Sequence, residues 1–435
     1  MTNSKPIGIS LLGCGTVGGG VIRLLASNGA RLAQRVGAPL VIRKVLVRDL
    51  VKDRVPECER RWLTTNPADV LGDPDTDVVV EVMGGELPAY DYIRGAIDAG
   101  KGIVTANKML LAARAHELVR RSVERGIDLA FEASVGGGIP IIRVLRQALT
   151  SDSVESLYGI VNGTSNYILT RMREDGLGFD QALAEAQAKG YAEADPTLDI
   201  DGHDAAHKMS VLAMLAFGVK VDHGNIPTEG IRNLEPIDLR FADRFDLVIK
   251  HLAIGKDHGP RIELRVHPAL VSKRSVLANV SGVLNAVYLE GRALGPCLIS
   301  GRGAGDMPTA VSVVADIVDV ARSKLAGAAG LSTRGISLEE RPLLPMGEIE
   351  TRYYLRFAGQ DKPGVLARIA GALGEHGVSI EHMIQDGRSA AASAPVPIVM
   401  ITHRAREAGV VAAIKAISSF DSVSDRTRVL RIEEV

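Results

Sequence analysis

The run from Gly190 to Lys208, GYAEADPTLDIDGHDAAHK, is the densest concentration of reactive side chains in the sequence. Glu193, Asp195, Asp199, Asp201 and Asp204 precede a lysine, Lys208, at the start of an apolar segment. Asp204 and Lys208 are four residues apart, so on a helix they share a face. An ammonium held beside carboxylates stays charged and can give a proton to a developing alkoxide. The plain alternative is a capped helix with a surface ion pair, worth under about 1 kcal/mol. Against it, Met209–Val219 is so apolar that the polar start of the helix should lie at a buried edge. His203 and His207 are spaced as in the zinc pattern H-E-x-x-H. Asp204 replaces the glutamate there and no third ligand is evident, so the expected role of both histidines is local packing or hydrogen bonding.

A second cluster of signals surrounds Gly13-Cys14-Gly15-Thr16-Val17-Gly18-Gly19-Gly20. This G-x-G-x-x-G loop follows an apolar strand and enters a helix. Glycines there permit a tight turn and close backbone approach to a pyrophosphate, and the helix N-terminus offers free N–H groups and a positive dipole end. Gly13, Gly15, Thr16, Val17 and Gly18 are therefore candidate cofactor residues. The second strand ends at Val47-Arg48-Asp49, where an NAD-only site usually places an acid for the ribose 2′-hydroxyl. Arg48 comes first, with Lys52 nearby, and a cation can pair with a 2′-phosphate. The expectation is NADP, or both cofactors, with a solvated basic turn as the alternative. Val80-Glu81-Val82-Met83-Gly84-Gly85 and Val104-Thr105-Ala106-Asn107-Lys108 end two further strands. They put Gly84 and an amine at the carboxyl edge of the sheet, where cofactors sit in open α/β folds.

The elements that must position these groups follow from periodicity. Ile7–Leu12, Leu40–Val47, Val78–Met83, Gly102–Thr105 and Asp128–Phe131 read as strands, and Val17–Leu25 as a helix. Strand–helix alternation implies a doubly wound parallel sheet over residues 1–150, completed by an apolar helix within 301–321. Residues 151–300 mix strands (Leu157–Val161, Arg261–Val266, Val283–Leu289) with helices (Gln181–Lys189, His203–Phe217), an α+β substrate and dimerisation domain. Residues 322–349, rich in Gly, Ala, Arg and Pro, read as a linker. From 350 to 435 the order is strand (Tyr353–Phe357), helix (Val365–His376), strand (Ser379–Gln385), strand (Ile398–Thr402), helix (Glu407–Ile417), strand (Thr427–Glu433). That is the βαββαβ ferredoxin-like pattern.

Bulk properties agree. A core rarely grows past roughly 250–300 residues, so 435 residues imply two or three domains. With 4% aromatics the core must be aliphatic, as suits buried parallel strands. A net charge of −1 gives no global field toward nucleic acid or a membrane surface. Cys14, Cys58 and Cys297 are too sparse for a disulfide framework or zinc knuckle and fit a reducing cytoplasm. There is no signal-type segment at the start and no apolar run near the roughly 20 residues a span requires.

Together these stretches resemble the homoserine dehydrogenases. The matching pieces, over roughly the first 320 residues and in the family's order, are GCGTVGGG, VEVMGG, VTANK, FEASVGGGIPII, GIVNGTSNYIL, GYAEADPTLDIDGHDAAHKMSVLA and GRGAGDMPTA. No aspartokinase domain precedes the loop, so the resemblance is to the monofunctional form. It implies nicotinamide-dependent interconversion of aspartate semialdehyde and homoserine, within threonine, methionine and isoleucine biosynthesis. Lys208 would be the proton donor and Lys108 would lie near substrate and nicotinamide. Glu193 and Asp204 would orient the amino-acid end, supported by Asp199, while Gly190 and Gly305 would approach the cofactor. The family's sodium site implies Glu132 with the carbonyls of Val135, Gly137 and Ile139, oxygen ligands suited to a hard cation. The last 85 or so residues, with Asp361-Lys-Pro-Gly364-Val-Leu, resemble an ACT domain. That implies threonine as effector and a homodimer or homotetramer, the alternative for the module being plain dimerisation. Two rival readings are an aspartate semialdehyde dehydrogenase, which needs a cysteine nucleophile, and an amino-acid sensor that keeps the nucleotide fold as scaffold.

Overall fold

The computed structural model describes residues 5–331, 333–336, 338–386, 395–424 and 427–435. By contacts the chain divides into two compact units, one of Met1–Gly163, Asp204–Ile226 and Val283–Arg341, the other of Thr164–His203, Pro227–Gly282 and Pro342–Val435.

In the first unit six strands, β1 (Ile7–Leu12), β2 (Leu40–Leu46), β3 (Leu63–Thr64), β4 (Val78–Glu81), β5 (Gly102–Thr105) and β6 (Leu129–Ala130), form a sheet of order β3-β2-β1-β4-β5-β6. Every pairing is parallel. β1 and β4, apolar but for Ser10 and Glu81, are buried on both faces, as a parallel sheet between helices requires. Strand order reverses between β1 and β4, and a crevice opens at such a switch point beyond the carboxyl ends of the strands. The helix Asp306–Leu325 packs on Thr16–Ser27 and completes the core with Val313, Ile317 and Val320. Close approach there depends on Gly20, where a Cβ would meet the Asp306 carbonyl at 3.0 Å and the Ala310 side chain at 2.9 Å. The same helix takes in the first four residues, 322–325, of the expected linker; Ser332 and Ser337 of that linker lie outside the described residues. An antiparallel meander of Val154–Ile160, Leu284–Gly291 and Gly295–Arg302 belongs to this unit as well.

The second unit is built on antiparallel strands Leu247–Asp257 and Ile262–Ser272. The C-terminal module follows the expected order: strand Glu350–Gln360, helix Val365–Glu375, strands Ile380–Gln385 and Pro395–Thr402, helix Glu407–Ile417 and strand Arg428–Glu433. Its last strand lies antiparallel to Glu350–Gln360 on one side and parallel to Ile262–Ser272 on the other. That pairing joins residues 227–282 to 342–435, across the linear segments read from the sequence. Arg265 on Ile262–Ser272 is fully buried and ion-pairs with Glu263 at 2.7 Å and with Glu433 of the last strand at 2.8 Å. Among the described residues no helix is long and apolar enough to cross a membrane.

Candidate active site

The glycine loop leaves β1 with Gly13 at φ +106, its N–H donating to the Leu46 carbonyl of β2 at 3.0 Å. A Cβ on Gly18 would sit 2.5 Å from the Gly13 carbonyl oxygen, so the helix can start this close only with glycine there. Around Gly15 nothing lies within 4 Å of a Cβ position, which leaves open space directly before Thr16 and Val17. The helix from Thr16 carries neither a side-chain cap nor an acid in its first turn. Its first N–H groups are thus placed for an external anion. A cleft of about 740 Å³ at the β1–β4 edge is lined by Gly13, Gly15, Arg48, Lys52, Arg54 and Gly84, among others. This volume and these donors fit a dinucleotide. Asp49 at the β2 tip accepts from the Val51 N–H at 2.7 Å and the Lys52 N–H at 3.3 Å. The acid is engaged by its own turn, those two amides holding its carboxyl below the usual range. Arg54, which sequence reasoning missed, donates to the carbonyls of Lys52 and Asp49 and so braces the basic turn.

The helix His203–Ala216 carries Asp204 and Lys208 on one face, buried as its apolar continuation requires. Lys208 Nζ donates to Asp204 Oδ2 at 2.7 Å and to the Val161 carbonyl at 2.6 Å. Lys108, at the start of the helix Lys108–Arg125, ion-pairs with Asp204 Oδ1. Asn162 Nδ2 donates to Asp204 Oδ2 at 2.9 Å, a contact no sequence signal indicated. Burial alone would raise the Asp204 pKa, but the ammonium groups of Lys208 and Lys108 hold it well below the usual carboxylate range. The side chains of Asp204 and Lys208 are 4% and 10% exposed and that of Lys108 is 42% exposed. One amine is therefore fixed inside and the other reaches outward. Two cations around one anion leave a net positive centre suited to an oxygen that gains negative charge.

The remaining predicted residues are distributed as follows. In the second unit Gly190 (φ +73) ends the helix Phe179–Ala188, Glu193 is exposed with its carbonyl accepting from Gln187, and Asp199 accepts from the Thr164 hydroxyl at 3.0 Å. Gly305 (φ +121) caps the helix Asp306–Leu325 in the first unit. Glu132 is buried, and its two carboxylate oxygens accept the N–H groups of Ile142 and Arg143, each at 2.8 Å, which anchors the short helix that follows. Val135 and Ile139 are buried, and the Gly137 carbonyl accepts the Ser312 hydroxyl at 2.6 Å. His207 packs edge-on against His223 with ring centres 4.5 Å apart, and no group of three or more His, Cys, Asp or Glu able to hold a metal occurs among the described residues. Burial, with Cys58 beside it, pushes the Cys14 thiol up to about 12, the reverse of what a thioester-forming nucleophile needs.

Profiles of known families match along the chain. Residues 13–132 match the homoserine dehydrogenase NAD-binding domain, residues 140–318 the homoserine dehydrogenase domain and residues 353–421 the ACT domain. The homoserine dehydrogenase of Pseudomonas aeruginosa is 41% identical over 99% of this chain and 100% of its own length. This chain belongs to the homoserine dehydrogenase family. Its activity is that of an NAD(P)-dependent oxidoreductase acting on homoserine, and its C-terminal module is an ACT domain. The crystal structure of the enzyme from Thiobacillus denitrificans superposes with a TM-score of 0.93 at 43% identity, covering 99% of both chains. A hyperthermophilic archaeal homoserine dehydrogenase solved with NADPH superposes with a TM-score of 0.62 at 26% identity, over 73% of this chain and 98% of its own.

Proposed function

We propose that Lys108, Asp204 and Lys208 carry the reaction, with Lys208 as general acid. The supporting observation is the buried Asp204 carboxylate held between two ammonium groups. When bound, the nicotinamide supplies the hydride to the aldehyde carbon of aspartate semialdehyde, or takes it from homoserine. Lys208 gives its proton to the aldehyde oxygen as it becomes an alkoxide, and takes the hydroxyl proton back in the reverse direction. Asp204 keeps that amine charged and aimed, and Lys108 adds positive charge at the edge of the site. Glu193, supported by Asp199, binds the substrate's amino-acid end. Glu193→Ala is expected to raise the KM for homoserine at least tenfold, the loss of about one charge-assisted hydrogen bond, with kcat changed less. Steady-state kinetics decide it, and an unchanged KM removes Glu193 from the substrate site.

NADP is the favoured cofactor in this reading, because Arg48, Lys52 and Arg54 line the cleft while Asp49 is engaged by its own turn. The NADPH bound to the archaeal relative agrees with it. Oxidation of L-homoserine followed by nicotinamide absorbance, with NADP and NAD in parallel, tests both the activity and this preference. The expected result is a higher kcat/KM with NADP, and a drop of about tenfold in that advantage in Arg48→Ala. Equal rates with both cofactors would reduce Arg48 to a surface charge.

The same proposal assigns sodium to Glu132 with the carbonyls of Val135, Gly137 and Ile139. The donor set is all oxygen, and a carboxylate offers about four lone-pair sites, of which two are used by amides. Threonine is the proposed ACT ligand, a homodimer or homotetramer the assembly, and the cytoplasm the compartment, in keeping with three free cysteines.

A further inference from the structure

Glu81 ends β4 fully buried, and nothing in the proton or hydride step uses it. Its Oε1 accepts the N–H of Met83 at 2.8 Å and of Gly84 at 3.2 Å. Its Oε2 accepts the hydroxyl of Thr105, the last residue of the adjacent β5, at 2.6 Å. Thr105 Oγ1 in turn accepts the backbone N–H of Asn107 at 3.0 Å. Asn107 closes the circuit, since its Nδ2 donates to the Gly85 carbonyl at 2.6 Å and its Oδ1 caps the Lys108 helix through the Leu110 N–H at 3.1 Å. The path leaves the Gly84–Gly85 turn through one strand end and returns to it through the other.

This arrangement is costly for a turn alone. Burial raises the Glu81 pKa, and hydrogen bonds from a hydroxyl and two amides work against that rise. A buried carboxylate is tolerated only when its oxygens are satisfied in this way. Gly84 and Gly85 adopt φ +75 and +74, and nothing lies within 4 Å of a Cβ position on Gly84. The hydrogen bonds to Glu81 tie down the turn at Gly84. Gly84 lines the cofactor cleft, and Lys108 directly follows Asn107 and reaches Asp204. The buried acid thus joins the cofactor side and the amine side of the reaction centre.

We infer that Glu81 is a positioning residue, which with Thr105 and Asn107 fixes the Gly84–Gly85 turn and Lys108 as a single rigid edge. The inference rests on the reading of Lys108 as a residue of the reaction centre. In hydrogen exchange on the enzyme without cofactor, Glu81→Gln and Thr105→Val are expected to speed exchange about tenfold in both 82–86 and 106–111. Thr105→Ser, which keeps the hydroxyl, restores protection in both. With homoserine, Glu81→Gln and Thr105→Val lower kcat about tenfold through misplacement of the amine. Faster exchange confined to 82–86, or undiminished kcat in both variants, overturns the inference. If Glu81→Gln does not fold, the Thr105→Val and Thr105→Ser pair carries the test. Lys108→Met separates the two readings. Full turnover in that variant overturns the role of Lys108 and this inference with it. Impaired Lys108→Met beside normal Glu81→Gln and Thr105→Val overturns the positioning role alone.

Discussion

Lys208→Met is expected to lower kcat by about 10²–10⁴-fold, the usual worth of a positioned general acid. Methionine keeps the length and flexibility of the side chain but has no proton to give. Asp204 retains Lys108 as a partner in that variant, so the fold should survive. The Lys208 side chain does not line the dinucleotide cleft, so cofactor affinity should hold. Steady-state turnover and nucleotide titration on the same sample decide the matter. Turnover within threefold of wild type would end the assignment.

Asp204→Asn is expected to be as damaging to catalysis and to harm the fold as well. It removes the anion shared by two ammonium groups and leaves Lys208 buried near Lys108 with no carboxylate between them. Removing one partner of a buried ion pair costs about 3–5 kcal/mol, which urea denaturation would read. The pH behaviour has a definite sign. The folded pKa of Asp204 lies below its ordinary value of 3.8. Its contribution is therefore complete above that value and is lost only as pH falls through the lower, folded one. Across the neutral range the wild type and variant should differ by a constant amount. A gap that closes between about pH 5 and 8, or a variant as stable as wild type, would show that Asp204 does not hold the site together. Because the two residues act as a unit, Asp204→Asn with Lys208→Met should lose less than the sum of the single losses.

Much of the fold was legible because it rests on period and punctuation. β1 and β5 fall on Ile7–Leu12 and Gly102–Thr105 as read, and the helix Glu407–Ile417 likewise. The sequence reading passed over Lys108–Arg125, whose polar face carries Arg114, Arg120, Arg121 and Arg125 and masks a stripe of Leu111, Ala115, Leu118 and Val119. It also passed over Gly295–Arg302, whose exposure alternates along the strand and whose glycines and proline read as turn chemistry. In the site, the Asp204–Lys208 pair was visible because helical spacing alone brings i and i+4 together. The links from Asp204 to Lys108 and Asn162 join residues far apart in sequence and exist only once the chain has folded. Glu81 was hidden for a different reason. An acid inside an apolar strand looks like the strand's polar end until its acceptors are seen to be filled.

The last strand has a consequence for how such a protein can lose or gain parts. Glu433 neutralises a guanidinium that belongs to the strand before it in the sheet, at Arg265. Cutting the chain near residue 350 would remove that carboxylate and strip the edge of Ile262–Ser272 bare. A lineage or an engineer wanting the shorter enzyme would have to rewrite position 265 and refinish the exposed edge in the same step. The ACT module is thus woven into the body it joins, and its excision is a redesign of a distant strand and not a deletion of a tail.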